Sequence, residues 1–270
     1  MRKAVNIVCA ALIFIAASCG GDETVTPSPN PCEGEPGDSA AGQMALFYEK
    51  VVWINQEKAE EIAEAILAGV ETFEDPRAYN THEIAEWVER NTGDGDVDCL
   101  VLFGYLPETI YLPGNGQPDG SLVEKFIDDG NFVMNTGDYI FYVSMGGAVN
   151  GVEGLQNIAD AEFHLWTDGN AVQPTREAES CVSSLGLFIS DRSFPAGQIA
   201  LDKNWEIEAA FGTGKLGYDP VILKHVVTGG RIGIWMQVSN DSLNRAEVAL
   251  DIFNNWAGNA LRSTGSSEAP

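Results

Sequence analysis

Asp119-Gly120-Ser121-Leu122-Val123-Glu124-Lys125-Phe126-Ile127-Asp128-Asp129-Gly130-Asn131-Phe132-Val133-Met134-Asn135 carries a helix, a turn and a strand in one short stretch. Asp119-Gly120-Ser121 opens a helix over Leu122 to Asp128, and Gly130-Asn131 turns the chain into the strand Phe132 to Asn135. The pattern repeats outward. Upstream, Asp98 to Gly104 is a continuous apolar run of the kind buried on both faces of a parallel sheet. Glu57 to Leu67 places Ala59, Ile62, Ala63, Ile66 and Leu67 at helical spacing, and Gly69 stops it. Asn80 or Thr81 caps a second helix bearing Ile84, Ala85, Trp87 and Val88. Lys50-Val51-Val52-Trp53-Ile54-Asn55 reads as the first strand.

Downstream the pattern is less regular. Val152 to Ile158 reads as helical, Cys181 to Ile189 as helix or strand, and Phe194-Pro195-Ala196-Gly197 as a loop. Val221 to Val227 and Arg231 to Gln237 read as two strands joined across Gly229-Gly230. A last helix spans Ser242 to Leu261, with Ala246, Val248, Ala249, Ile252, Phe253 and Trp256 on one side. Strands alternating with helices predict an α/β fold, a flavodoxin-like three-layer sandwich with a mostly parallel central sheet.

The chain has 270 residues and a formal net charge of -25. That acidity excludes nucleic acid as a partner, because phosphate binding needs clustered Lys and Arg. It keeps the surface solvated and favours cations or basic partners. At the start, Arg2-Lys3 precedes an apolar run from Val5 to Ala17, then Ala16-Ala17-Ser18-Cys19. A basic start, a short apolar run and small residues describe a secretory signal. The run is too short for an ordinary span of about 20 residues. The cysteine after the small residues resembles a bacterial lipoprotein signal, with Ala16 where Leu is usual. The resemblance implies a signal over 1–18 and lipidation of Cys19, which places the protein on the bacterial cell envelope, held at a membrane and facing the periplasm or exterior. Residues 19–43 read as a Pro/Gly/Ser-rich tether that includes Thr26-Pro27-Ser28-Pro29-Asn30-Pro31. A single domain over 44–261 and a polar tail over 262–270 follow. Of the remaining cysteines, Cys99 reads as a buried small hydrophobe, and Cys32 and Cys181 are able to pair in an oxidising compartment.

Three stretches resemble the class I glutamine amidotransferase-like superfamily, in its ThuA-like and noncatalytic branches. They are Cys99-Leu100-Val101-Leu102-Phe103-Gly104, the unit Glu124 to Asp138, and Pro220-Val221-Ile222-Leu223 through Gly229-Gly230-Arg231-Ile232-Gly233-Ile234-Trp235. The resemblance covers roughly 48–261. It implies a nucleophile elbow after the 132–135 strand, with a cysteine there and a His and a Glu after the late strand. The elbow stretch is Asn135-Thr136-Gly137-Asp138-Tyr139, without cysteine, and the late strand runs into Met236-Gln237-Val238-Ser239-Asn240-Asp241, without histidine. Glutamine hydrolysis by a Cys-His pair therefore lacks its nucleophile and its base.

The best candidate site lies at the strand ends, where ligands bind in doubly wound sheets. It comprises Tyr105, Asn135, Thr136, Asp138, Tyr139 and Tyr142, with His164 as the histidine to test. Amides and carboxylates hold sugar hydroxyls and aromatic rings stack on sugar faces, so a saccharide is one ligand class that fits. The same Asn-Thr-Gly-Asp is equally a plain strand-to-helix turn. His82 reads as a surface residue and His225 as structural, neither with an acidic or His neighbour at metal spacing. Asp94-Gly95-Asp96-Val97-Asp98 begins like a calcium loop, but Cys99 and Tyr105 occupy the places that need Gly and Glu. Asp94 and Asp96 thus form either a solvated acidic turn or a weak metal site completed from elsewhere. No motif calls for a cofactor. Three roles stay open: a noncatalytic binder of a small ligand or protein, a carboxylate- or metal-dependent hydrolase, and a structural envelope protein.

Overall fold

The structure is a computed structural model that describes residue 32 and residues 41–261. The signal, Cys19, the rest of the tether and the polar tail lie outside the described residues. The strands are β1 (Ala41–Phe47), β2 (Phe73–Ala78), β3 (Cys99–Leu102), β4 (Tyr105–Leu106), β5 (Phe132–Gly137), β6 (Val143–Ser144), β7 (Asn170–Pro174), β8 (Phe188–Ser190), β9 (Trp205–Ala210), β10 (Gly212–Thr213), β11 (Val221–His225) and β12 (Arg231–Gln237). The helices are α1 (Gln56–Gly69), α2 (Thr81–Arg90), α3 (Leu122–Asp128), α4 (Val152–Ala159), α5 (Arg176–Cys181), α6 (Ala196–Leu201) and α7 (Arg245–Asp251). A π-helical turn, Ile252–Ala257, links α7 to the short α8 (Gly258–Ala260).

Seven strands form the central sheet in the order β2-β1-β3-β5-β12-β11-β9. The run β2 to β12 is parallel, and only β11 is reversed. Period-two alternation divides the strands between two cores. Met44, Leu46, Cys99, Val101, Phe132 and Met134 face a layer built from α1, α5, α7 and the π turn. Ala45, Phe47, Leu100, Leu102 and Val133 face α2, α3, α4 and α6. The fold is thus the expected α/β three-layer sandwich, with flavodoxin-like order in its parallel half.

Local chemistry explains the boundaries. Asn80 and Ser121 each close a capping box, with Glu83 and Glu124 reaching back to the cap nitrogens. Asn55 caps α1 by accepting from Glu57 N. The Cys32–Cys181 disulfide is formed, with Cα atoms 5.5 Å apart, and Cys99 is free and buried.

Several elements differ from the sequence reading. The first strand is β1, beginning inside the stretch read as tether, and not Lys50–Asn55. Gly42 and Gln43 disguise β1, whereas the β-branched residues of 50–54 lie in bends across the sheet's end. β2, Phe-Glu-Asp-Pro-Arg-Ala, was not legible as a strand; it stands at the edge, where Pro76 and charges are tolerated. Cys181–Ile189 divides into the end of α5, a loop and β8. The loop read over 194–197 already contains the start of α6, with Pro195 at its cap. The last helix begins at Arg245 and widens into the π turn, where Asn254 and Asn255 donate to the Gly69 and Cys181 carbonyls.

Candidate functional site

The sheet order reverses between β1 and β3, which is where a flavodoxin-like fold opens its crevice. Here the chain fills that place with its own backbone. Gly104 has φ +88° and Gly137 φ +115°. A Cβ on Gly104 would lie 2.6 Å from the Val52 carbonyl oxygen, and one on Gly137 would lie 3.3 Å from the same oxygen. Glycine at both positions lets the 50–54 segment seat directly on the ends of β3 and β5. Trp53, itself at φ +66°, caps the segment.

Beneath it lies a closed polar network. Asn135 Nδ2 donates to Gln237 Oε1 (3.1 Å), Gln237 Nε2 donates to the Asn135 carbonyl (2.7 Å), and Asn135 Oδ1 accepts from Gly104 N (3.1 Å). Thr136 Oγ1 donates to the Trp235 carbonyl and accepts from Arg245 Nε. The chain leaving β12 is bent at Met236, φ +51°. Buried Asp219 accepts from Met236 N, Gln237 N and Ser190 Oγ, while buried Arg245 donates to the carbonyls of Met236, Val238 and Asn240. Burial raises the Asp219 carboxyl to about 6 against these hydrogen bonds, and burial lowers the Arg245 guanidinium to about 10.

Asn135 and Thr136 are therefore at the expected edge but turned inward, with no surface for a ligand. Tyr139 is buried too; its hydroxyl accepts from Leu165 N at 2.9 Å, and burial pushes its phenol up to about 12. What reaches the surface is an aromatic platform. Tyr139 and Tyr142 meet Trp166 edge-on at centroid distances of 5.3 and 5.8 Å, and Trp53 meets Tyr142 at 6.4 Å. Trp166 is 49% exposed, and Trp53 and Tyr142 are half-buried. The Arg192 guanidinium lies 4.6 Å from the Trp166 ring centroid.

Arg192 links the platform to two carboxylates. Its Nη1 donates to Asp168 Oδ1 at 2.7 Å, and its Nε stands 2.8 Å from Asp138 Oδ1 in an ion pair that lacks hydrogen-bond alignment. Burial raises the Asp138 carboxyl, opposed by Arg192, while the Arg192 hydrogen bond lowers that of exposed Asp168.

Tyr105 sits apart on β4, under the Lys50 ammonium at 5.4 Å. His164 is exposed, with Nε2 3.0 Å from Gln198 Nε2. Beside it is a cavity of about 540 Å³ lined by Asp119, Asp160, Glu162, Phe163, Gln198 and Asp202 among others, and by none of Asn135, Thr136, Asp138, Tyr139 or Tyr142. His82 has an acidic neighbour after all, Glu86 one helical turn on at 3.4 Å, and both are exposed. His225 bonds Thr228 and packs on Trp205, a structural role. Asp94 Oδ1 accepts from Asp96 N, forming an exposed turn. Among the described residues no group of three or more His, Cys, Asp or Glu is placed to hold a metal.

The sequence reading passed over Trp53, Asp168 and Arg192 and gave no role to Trp166. A signal for Trp166 existed: Ala161, Phe163 and Leu165 are buried in alternation with exposed Glu162, His164 and Trp166. That alternation marks an extended segment with the indole turned outward. Arg192 carried no local signal, because its partners are distant in sequence.

No protein-family model matches the chain, and no curated protein matches it.

Proposed function

We propose that this chain is a lipid-tethered envelope protein whose amidotransferase-like α/β domain is noncatalytic and binds a saccharide on the platform of Trp53, Tyr142 and Trp166. The observation that carries the reading is the half-exposed aromatic surface with Arg192 and Asp168 at its rim. Rings offer stacking faces to the C–H side of a sugar, and the rim groups offer donors and acceptors to its hydroxyls. Arg192 is already balanced by two carboxylates, which favours a neutral sugar over an acidic one on a chain of net charge -25.

The disulfide supports the compartment, since such bonds persist in oxidising spaces outside the cytosol. The sheet order, the 122–137 helix–strand unit and the 221–237 hairpin are compatible with the amidotransferase-like resemblance. Among the described residues the one free cysteine, Cys99, is buried at the start of β3, at the opposite end of the strands from the platform.

The test is a titration of the purified protein with neutral oligosaccharides, read by tryptophan fluorescence and thermal shift. At least one should bind, and Trp166→Ala should weaken it about 10-fold or more. Binding unaffected by Trp166→Ala, or no shift with any sugar, refutes the reading. Turnover of a bound sugar, lost in Asp138→Asn, would replace it with the hydrolase alternative.

A further inference from the structure

The disulfide moves the point at which the tether is attached. Cys19 and Ala41 are 22 positions apart, whereas Cys19 and Cys32 are 13 apart. Pro27, Pro29 and Pro31 fall in that shorter interval. Counted at about 3.1 Å per residue, the rise of a Pro-rich chain, the two intervals correspond to lengths of roughly 68 Å and roughly 40 Å. A compact domain of this size has a diameter of about 44 Å. Attachment at Cys181 therefore favours the side of the domain that bears it, because holding the opposite side against the surface to which Cys19 is fixed would use the whole of the shorter length.

The surface beside that anchor suits a bilayer. Ser180 to Ser190, Ser-Cys-Val-Ser-Ser-Leu-Gly-Leu-Phe-Ile-Ser, contains no charged residue. In β8 and the residue before it, Phe188 points into the core while Leu187 and Ile189 point out, 79% and 49% exposed. The neighbouring Ala171 on β7, paired with Ile189, is exposed as well. Much of the remaining surface is acidic and would be repelled by anionic headgroups.

We propose that the face formed by Leu187, Ile189 and Ala171 rests on the membrane to which Cys19 is attached, and that the Cys32–Cys181 bond sets this orientation. The inference rests on the lipoprotein reading above. The acyl chains supply the holding force, and the face fixes which side of the domain looks outward.

The experiment uses the full-length mature protein on neutral phosphatidylcholine vesicles, with intact mass measured on the same sample. Amide exchange over 183–190 should slow about five-fold or more on vesicles relative to the unlipidated Cys19→Ser protein. Leu187→Ser with Ile189→Ser, both exposed and harmless to the core, should abolish the slowing. So should a 20-residue Gly/Ser insertion between Cys19 and Cys32. Acyl mass without slowing overturns the docking face and leaves the lipoprotein reading standing. Absence of acyl mass overturns both. Concentration-dependent slowing in the unlipidated protein assigns the face to a second copy of the chain and overturns membrane docking.

Discussion

Asp98→Asn should stabilise the domain, and the gain should depend on pH. Asp98 is buried at the junction of β1 and β3, where Oδ1 accepts from Gln43 N and Oδ2 has no hydrogen-bond partner. Burial raises its carboxyl from 3.8 to about 7, with Asp94, Asp96 and Asp129 adding to the rise against the Gln43 hydrogen bond. A folded-state pKa above the unfolded value means that the folded state binds the proton more tightly. Stability from this group is therefore present at low pH and lost as pH rises from about 4 through 7. At about 1.4 kcal/mol per pKa unit, the loss is about 4 kcal/mol. Asparagine keeps the acceptor for Gln43 N and carries no charge at any pH. The two proteins should match within about 1 kcal/mol near pH 4, and the variant should lead by about 4 kcal/mol at pH 8. In a domain of this size that is a Tm difference of roughly 8–16 °C. Urea unfolding of both proteins across pH 4–8.5, without reductant, measures the difference directly, and other titrating groups cancel. A stability difference that does not change with pH would refute the assignment of a buried, high-pKa carboxyl.

Two further perturbations test the frame. Cys32→Ser opens a loop closed over 149 positions, and the chain-entropy argument puts the loss at about 5 kcal/mol, to be read as a lower urea midpoint with an increased slope; an unchanged midpoint would mean that residue 32 is not held. Gly104→Ala places a methyl 2.6 Å from the Val52 carbonyl at φ +88°, and should cost about 2–3 kcal/mol while loosening the 50–54 segment to proteolysis; a neutral substitution would show that the segment does not seat there.

Helices α1, α2 and α3 were legible because they carry their own boundary chemistry. Asn80, Ser121 and Gly69 sit where caps and stops belong, and α2 and α3 match the reading closely. Strands buried on both faces, such as β3 and β5, were legible from continuous apolar runs. Strands whose runs are short or interrupted were not. β1 opens with Ala41-Gly42-Gln43 ahead of its short apolar run Met44 to Phe47, β2 carries Pro76, and pairing with neighbours far along the chain holds both extended. The site divides in the same way. The sequence placed Asn135 to Tyr139 at the correct end of the sheet, because strand direction follows from topology. It could not say that Asn135 and Thr136 turn inward, since that depends on Gln237 and Arg245 about a hundred positions away. Trp53 reached the platform only because 50–54 is a bend and not a strand.

The Val52 carbonyl on Gly104 and Gly137 has a consequence for any molecule seeking the usual crevice of this fold. The chain has become its own ligand there, a peptide group tethered a few residues from the end of β1. A covalently attached occupant acts at an effective concentration in the millimolar range or above, so a free competitor must exceed that advantage before its own contacts count. On the proposed reading, recognition at this edge is thereby displaced outward, to the rings of Trp53, Tyr142 and Trp166.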